Sequence, residues 1–195
     1  MNINAIKEAV RRELPPKRWQ HTVGVMQSAK ELAINYGADA EKAELAGLLH
    51  DYCKYWPAER QRLVILESDL SNELLNYDKP LWHAPVGAYV VSQEFKITDE
   101  EVLDAIRYHT SGRVGMTLLE KIICVADYIE PGRVYPEVDT IRELAQSSLE
   151  RALIAGFDST ISYLLSKGEK IYPLTLLSRN ALIDEVRARR ISNDK

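Results

Sequence analysis

The chain has 195 residues, enough for one domain whose core buries roughly 70% of the surface an unfolded chain exposes. With 25 basic against 29 acidic residues and a formal net charge of -4, no global positive field draws it to nucleic acid or anionic lipid, so any phosphate contact is local. Its two cysteines exclude a disulfide framework, and it shows neither a basic-then-apolar signal nor a run of about 18 apolar residues; the expected setting is the reducing cytoplasm, with no membrane and no nucleic acid as partner.

Ile3 to Arg12 reads as a short helix with Ile3, Ile6 and Val10 on one face, stopped by Pro15-Pro16. From Lys17 to Tyr36 the positions Val25, Met26, Ala29, Leu32, Ala33 and Tyr36 follow helical spacing, and Gly37 supplies the stop. His21 stands one turn before Val25, on the buried side. Asp39 caps a third helix over 40–51, whose end is Gly47-Leu48-Leu49-His50-Asp51. Ala43, Gly47 and His50 recur at spacings of four and three, so His50 continues the inward stripe, and Asp51 lies one turn after Gly47. An imidazole and a carboxylate at a buried helix end need strong partners, and a divalent metal satisfies both.

After Trp56-Pro57 a helix runs to about Leu66, and Ser71 to Tyr77 forms a further short turn before Pro80. In Trp82-His83-Ala84-Pro85 the proline marks a helix start, which puts His83 at an N-terminus with free backbone N–H groups, where phosphates bind. Thr98-Asp99-Glu100-Glu101 reads as a capping box, and the helix it opens carries Val102, Ile106 and His109 on one face. Thr117 to Ile129 is the most apolar helix and belongs at the centre; Asp127 follows within it, and the turn Glu130-Pro131-Gly132-Arg133 brings a guanidinium a few residues away. Two further helices fill 137–167, residues 167–175 form a loop with two lysines, and Ser178 caps a last helix to about Arg190. No strand and no repeat is evident, so the fold class is all-α: a helical bundle over 1–195, with a metal-site core at about 17–133 and C-terminal scaffold helices at about 137–190.

The informative pattern is joint. The four histidines, at 21, 50, 83 and 109, each fall at a helix end on or beside its buried side, and Asp51 and Asp127 join them. Neutral imidazoles with carboxylates suit iron, manganese, cobalt or zinc, while the lack of cysteine ligands argues against a structural zinc knot. A shared metal site explains all four better than four separate core residues.

The pieces Gly-Leu-Leu-His-Asp at 47–51 with Lys54, Trp82-His83-Ala84 with Gly87, His109-Thr110-Ser111-Gly112, and Ala126-Asp127-Tyr128-Ile129-Glu130-Pro131-Gly132-Arg133 resemble the HD-domain metal-dependent phosphohydrolases, specifically the YqeK branch, over nearly the full length. The resemblance implies a symmetrical bis(5'-nucleosyl)-tetraphosphatase that splits diadenosine tetraphosphate with water into two ADP. It implies that His21, His50, Asp51 and Asp127 hold iron or a similar ion, and that His83 and His109 complete a second metal site or hold phosphate oxygens. Asp51, His83 and His109 would be catalytic, either histidine being available to protonate the leaving ADP. His21, Asp51, Lys54, His83, His109, Thr110, Asp127 and Arg133, with Lys170, Ile171, Tyr172, Pro173, Leu174 and Thr175, would line the pocket for a dinucleoside polyphosphate or nucleoside diphosphate. The alternatives are an HD-type nucleotidase, triphosphohydrolase or phosphodiesterase, or a non-catalytic nucleotide-binding module. A homodimer through the scaffold helices is a further expectation.

Overall fold

The computed structural model describes residues 3–193; Met1, Asn2 and the last two residues of the expected 1–195 domain lie outside the described residues. The α-helices are α1 (Ile3–Glu13), α2 (Pro16–Tyr36), α3 (Ala40–Leu49), α4 (Ala58–Glu67), α5 (Lys79–Glu94), α6 (Glu100–Tyr108), α7 (Leu118–Ile129), α8 (Val138–Ala145), α9 (Leu149–Lys167) and α10 (Pro173–Asn193), with a 3-10 turn at Asn72–Asn76. No strand occurs among the described residues, as the all-α reading requires.

The central place of α7 follows from its composition. Leu119, Ile122, Ile123 and Val125 are all buried, and each such side chain contributes about 1.5–3 kcal/mol when fully removed from water. The helix therefore cannot lie on the surface; it packs against α2, α3, α6, α8 and α9, with α10 laid on α9 and α5 on α6. Thr117 caps it by accepting from the Glu120 amide. In α2, Gly37 stops the helix in the left-handed conformation (φ 73°), where a side chain would be strained.

Gly47 decides how closely α2 and α3 approach. A Cβ there would come 3.1 Å from Met26 Cα and 3.3 Å from its nitrogen, so backbone lies against backbone. His21 on α2 and His50 after α3 are thereby drawn together.

Several boundaries differ from the sequence reading. α3 ends at Leu49, His50 is its cap residue, and Asp51 to Lys54 form a turn, so Asp51 is presented by the chain leaving the helix. His83 is not at a helix N-terminus: α5 begins at Lys79 with Pro80 in its first turn, and Pro85 lies inside the helix. Pro80, whose missing N–H costs nothing at that position, takes the role expected of Pro85, and His83 sits a turn inside with no free amide row beside it. The cap of α6 is Asp99, which accepts from the Glu101 amide, one residue after the Thr98 that a capping box would use. Residues 173–175 belong to α10, not to a loop, because Pro173 suits a first helical position; Ser178 is therefore interior, its hydroxyl donating to the Leu174 carbonyl at 2.6 Å.

Candidate metal centre

Five helices deliver the centre. Arg18 and His21 stand three apart on α2, His50 and Asp51 follow α3, His83 comes from α5, His109 caps α6 and Asp127 is near the end of α7. His50 and Asp51 are fully buried, His83 and His109 are 1% and 2% exposed, and the Asp127 side chain keeps 19% exposure.

The backbone fixes which nitrogen each ring presents. His50 Nδ1 donates to the Gly47 carbonyl at 2.7 Å and His109 Nδ1 to the Ile106 carbonyl at 2.8 Å. His21 Nδ1 lies 3.0 Å from Glu130 Oε1. With Nδ1 occupied, each ring turns Nε2 inward, the arrangement that outer partners impose on ligand histidines. His21 Nε2 lies 3.0 Å from Asp127 Oδ1 and 3.7 Å from Asp51 Oδ2, and His50 Nε2 lies 3.0 Å from Asp51 Oδ2 and 4.0 Å from Asp127 Oδ1. On the far side of Asp51, His83 Nε2 is 3.0 Å from Oδ1, 3.2 Å from His109 Nε2 and 3.4 Å from Lys54 Nζ.

Two overlapping ligand sets result, His21–His50–Asp127 and His50–Asp51–His109, each with its atoms within 4.8 Å of one another. His21 Nε2, His50 Nε2 and Asp51 Oδ1 are buried without a hydrogen-bond partner. Leaving such atoms unpaired costs about 1–3 kcal/mol each, and a cation bound among them removes that cost. Nitrogen and carboxylate donors without thiolate match a borderline divalent transition metal. The residues present therefore fit such an ion.

Charge is already balanced toward cations. Burial by itself raises the Asp51 pKa, but the neighbouring His50 and Lys54 outweigh it and hold the carboxyl well below its usual range. Burial likewise acts upward on Asp127, and the Arg133 guanidinium, with His21 close by, overrides it downward. Burial, aided by Lys54, lowers His83, and burial with the neighbouring His50 and His83 lowers His109 strongly. Both imidazoles are thus neutral at pH 7, the form that binds a metal or accepts a proton.

Arg133 Nε donates to the Asp127 carbonyl at 2.7 Å and its Nη2 to the carboxylate, as the turn after α7 led us to expect. Lys54 Nζ is 3.4 Å from Asp51 Oδ1. The expected residues of 170–175 lie farther out. Tyr172 and Leu174 line a cavity of about 460 Å³ with Thr110, and Lys170, Tyr172 and Thr175 line a neighbouring one of about 560 Å³, again with Thr110. Thr110, next to His109, is where that segment meets the centre. Lys170 is exposed and donates to the Asn76 carbonyl at 2.9 Å, Ile171 is half-buried, and Pro173 is exposed at the start of α10.

Two participants went unassigned in the sequence. Arg18 donates from Nε to Asp51 Oδ2, and its Nη2 pairs in charge with the same oxygen and stands 4.0 Å from Asp127 Oδ1, so the guanidinium lies between the two carboxylates. Its place three residues before His21 was the available signal. Glu130 holds His21 and also accepts from the Gly132 amide at 2.6 Å; it stood in the Asp-Tyr-Ile-Glu-Pro-Gly-Arg piece, read there only as a turn.

The HD domain profile matches residues 18–132. A Bacillus subtilis protein named "Bis(5'-nucleosyl)-tetraphosphatase, symmetrical" is 49% identical over 183 residues, 94% of this chain and 98% of that protein. A protein of the same name from Halalkalibacterium halodurans is 47% identical over 95% of this chain and 99% of its own length. Among solved structures, a predicted HD superfamily hydrolase from Clostridium acetobutylicum, titled as involved in NAD metabolism, superposes with a TM-score of 0.90 at 39% identity, covering 95% of this chain and 98% of that one.

Proposed function

Since the chain belongs to the HD domain family, we propose that it is a metal-dependent hydrolase that cleaves diadenosine tetraphosphate with water into two ADP. The observation that carries the metal dependence is the set His21 Nε2, His50 Nε2 and Asp51 Oδ1, buried and unpartnered, where five helices meet. The relatives' shared name carries the substrate and the symmetry of the cut.

We assign His21, His50, Asp51 and Asp127 as metal ligands, with iron as the ion and manganese, cobalt or zinc able to replace it. The second set, reached through Asp51, supports a second ion or the substrate's phosphoryl oxygens at His83 and His109. A bound divalent ion supplies an acidified water and cancels charge on the phosphoryl group.

The chain's own residues complete the reaction. Asp51 joins the two halves of the centre, because its Oδ2 faces His21 and His50 while its Oδ1 faces His83. His83 and His109, held neutral, orient the attacked phosphate and accept protons there; burial removes the donor role that a charged imidazole would have had. The water oxygen forms its bond to the phosphorus, the central anhydride bond breaks, and the departing ADP carries the bridging oxygen. Lys54 and Arg133 neutralise that ADP, Lys54 as a point charge and Arg133 through its planar fork. Thr110 and the 170–175 segment hold one nucleoside. A cytoplasmic setting accords with two free, buried thiols, Cys53 and Cys124, and no described helix is long and apolar enough to cross a membrane.

Product analysis tests this reading. Protein purified with its native metal, given diadenosine tetraphosphate, should yield ADP alone and lose activity to a chelator. ATP plus AMP as products, or an intact dinucleotide while mononucleotides are consumed, would overturn it.

A further inference from the structure

Two cavities border the centre through different ligands. Thr110, beside His109, lines the one of about 560 Å³ that carries Lys170 and Tyr172. Arg133, bonded to Asp127, lines another of about 610 Å³ between α9 and the segment that follows α7. The two share Thr160 and Tyr163 of α9, and the Tyr163 ring stands 60% exposed between them. The sequence reading assigned ligand-holding residues to the first cavity; apart from Arg133, it assigned nothing in the second.

We infer that the second cavity receives the base and ribose of the second nucleoside of the substrate; this rests on the dinucleotide reading above. Charge is the first reason. Arg133 is the one cation in its lining and lies at the end nearest Asp127, whereas the rest of the wall is tyrosine, serine, threonine and one proline with a single carboxylate, Glu137. A polyphosphate would find no further counter-charge there. A neutral nucleoside finds tyrosine rings for its base and, in Glu137, an acceptor for its ribose hydroxyls. Size agrees, because ligand cavities run from about 300 to 1,000 Å³.

The wall is also pre-formed. Tyr128 shares a hydrogen bond with Thr160 at 2.7 Å, and the Tyr135 hydroxyl donates to the Tyr128 carbonyl at 2.9 Å. The Tyr128 ring fills the space that the missing side chain of Gly156 leaves, since a Cβ there would lie 2.7 Å from Tyr128 Cε2. Walls already fixed in place lower the ordering cost of binding. Finally, a substrate with identical ends, cut at its midpoint, extends equally on both sides of the reacting bond. The centre has a cavity of similar volume next to a ligand on each side, Thr110 by His109 and Arg133 by Asp127.

The test uses the metal-loaded full chain and two substrates of four phosphates each, diadenosine tetraphosphate and adenosine 5'-tetraphosphate, which has only one nucleoside. Ser162→Trp fills the second cavity from an exposed position, and Glu137→Gln removes its exposed carboxylate, so neither disturbs the core. Ser162→Trp should lower kcat/KM for the dinucleotide by about tenfold or more, the effect of losing one stacked base, and Glu137→Gln should lower it by a smaller factor. Both variants should leave the mononucleotide rate unchanged. Equilibrium dialysis should find two ADP per unsubstituted chain and one per Ser162→Trp chain. One ADP per unsubstituted chain, or equal effects on both substrates, overturns the second subsite while leaving the dinucleotide reading intact. If the unsubstituted protein does not cleave the dinucleotide, that reading itself is lost.

Discussion

Two charged clusters are buried along α7, and they resolve their charge in opposite ways. Near its start, Glu120 accepts a two-pronged contact from Arg113, and Lys121 donates to Glu150 at 3.0 Å and to Glu185 at 2.5 Å. Glu150 in turn accepts from Ser148 and Arg189. No atom of that cluster is left without a partner among the described buried groups. Near its end, Asp127 meets histidines whose inward nitrogens have none. Both clusters are desolvated and both hold carboxylates, so buried charge alone does not mark a reactive site. What marks it is polar atoms that converge and stay unsatisfied, which is a geometry that only a ligand completes.

Substitutions can set the two clusters against each other. At the ligand end, Asp51→Ala and Asp127→Ala should cost more than the roughly 100-fold that loss of an outer partner costs in metalloenzymes. Elemental analysis should find them empty of metal, with normal turnover by either variant refuting the assignment. At the satisfied end, Lys121→Met should behave in the reverse manner. Removing one partner of a buried pair destabilises by about 3–5 kcal/mol, visible as a lowered Tm, while metal content stays at the parent level. Loss of metal in that variant would erase the distinction drawn here.

Glu130→Gln takes away the charge that orients His21 without touching an inward atom, so metal affinity should fall by about tenfold in a competition assay, and no change would mean that Glu130 only shapes the turn. Lys54→Ala and Arg133→Ala should keep the metal and raise KM, and metal loss would show these residues to be misplaced. The smallest effect is in acid. Burial pushes Glu150 up, but Lys121 and the other hydrogen bonds around it bring its pKa below the usual carboxylate value. Its stabilising contribution is then present above about pH 4.5 and lost as pH falls through the folded-state value. Urea titrations at pH 7 and pH 4 should show a smaller acid loss for Glu150→Gln than for the parent.

The sequence made the ligand end readable because each ligand sits at a helix end and periodicity says which way it faces. His50, His109 and Asp127 follow apolar residues by one turn and His21 precedes Val25 by one, and these side chains do meet. The satisfied end was not readable. Glu120 and Lys121 look like the exposed stripe of an amphipathic helix, and the partners of Lys121 lie 29 and 64 residues away, so no local pattern announces them. His83 was displaced for a different reason: two prolines five residues apart both qualify as a helix start, and spacing cannot choose between them. The 170–175 segment reads whole as a loop in the sequence because Gly168 and Pro173 punctuate it, whereas Pro173 opens a helix.

Gly47 has a bearing on selectivity. The separation of two ligand histidines is gauged by main chain touching main chain at Met26, with no side chain between to yield. An added methyl there would push the helices apart by a few tenths of an ångström, about the difference between the bond lengths of small and large divalent ions. On the proposed assignment of His21 and His50 as ligands, the contact would act as a ruler for ionic radius, set by a residue that never touches the ion.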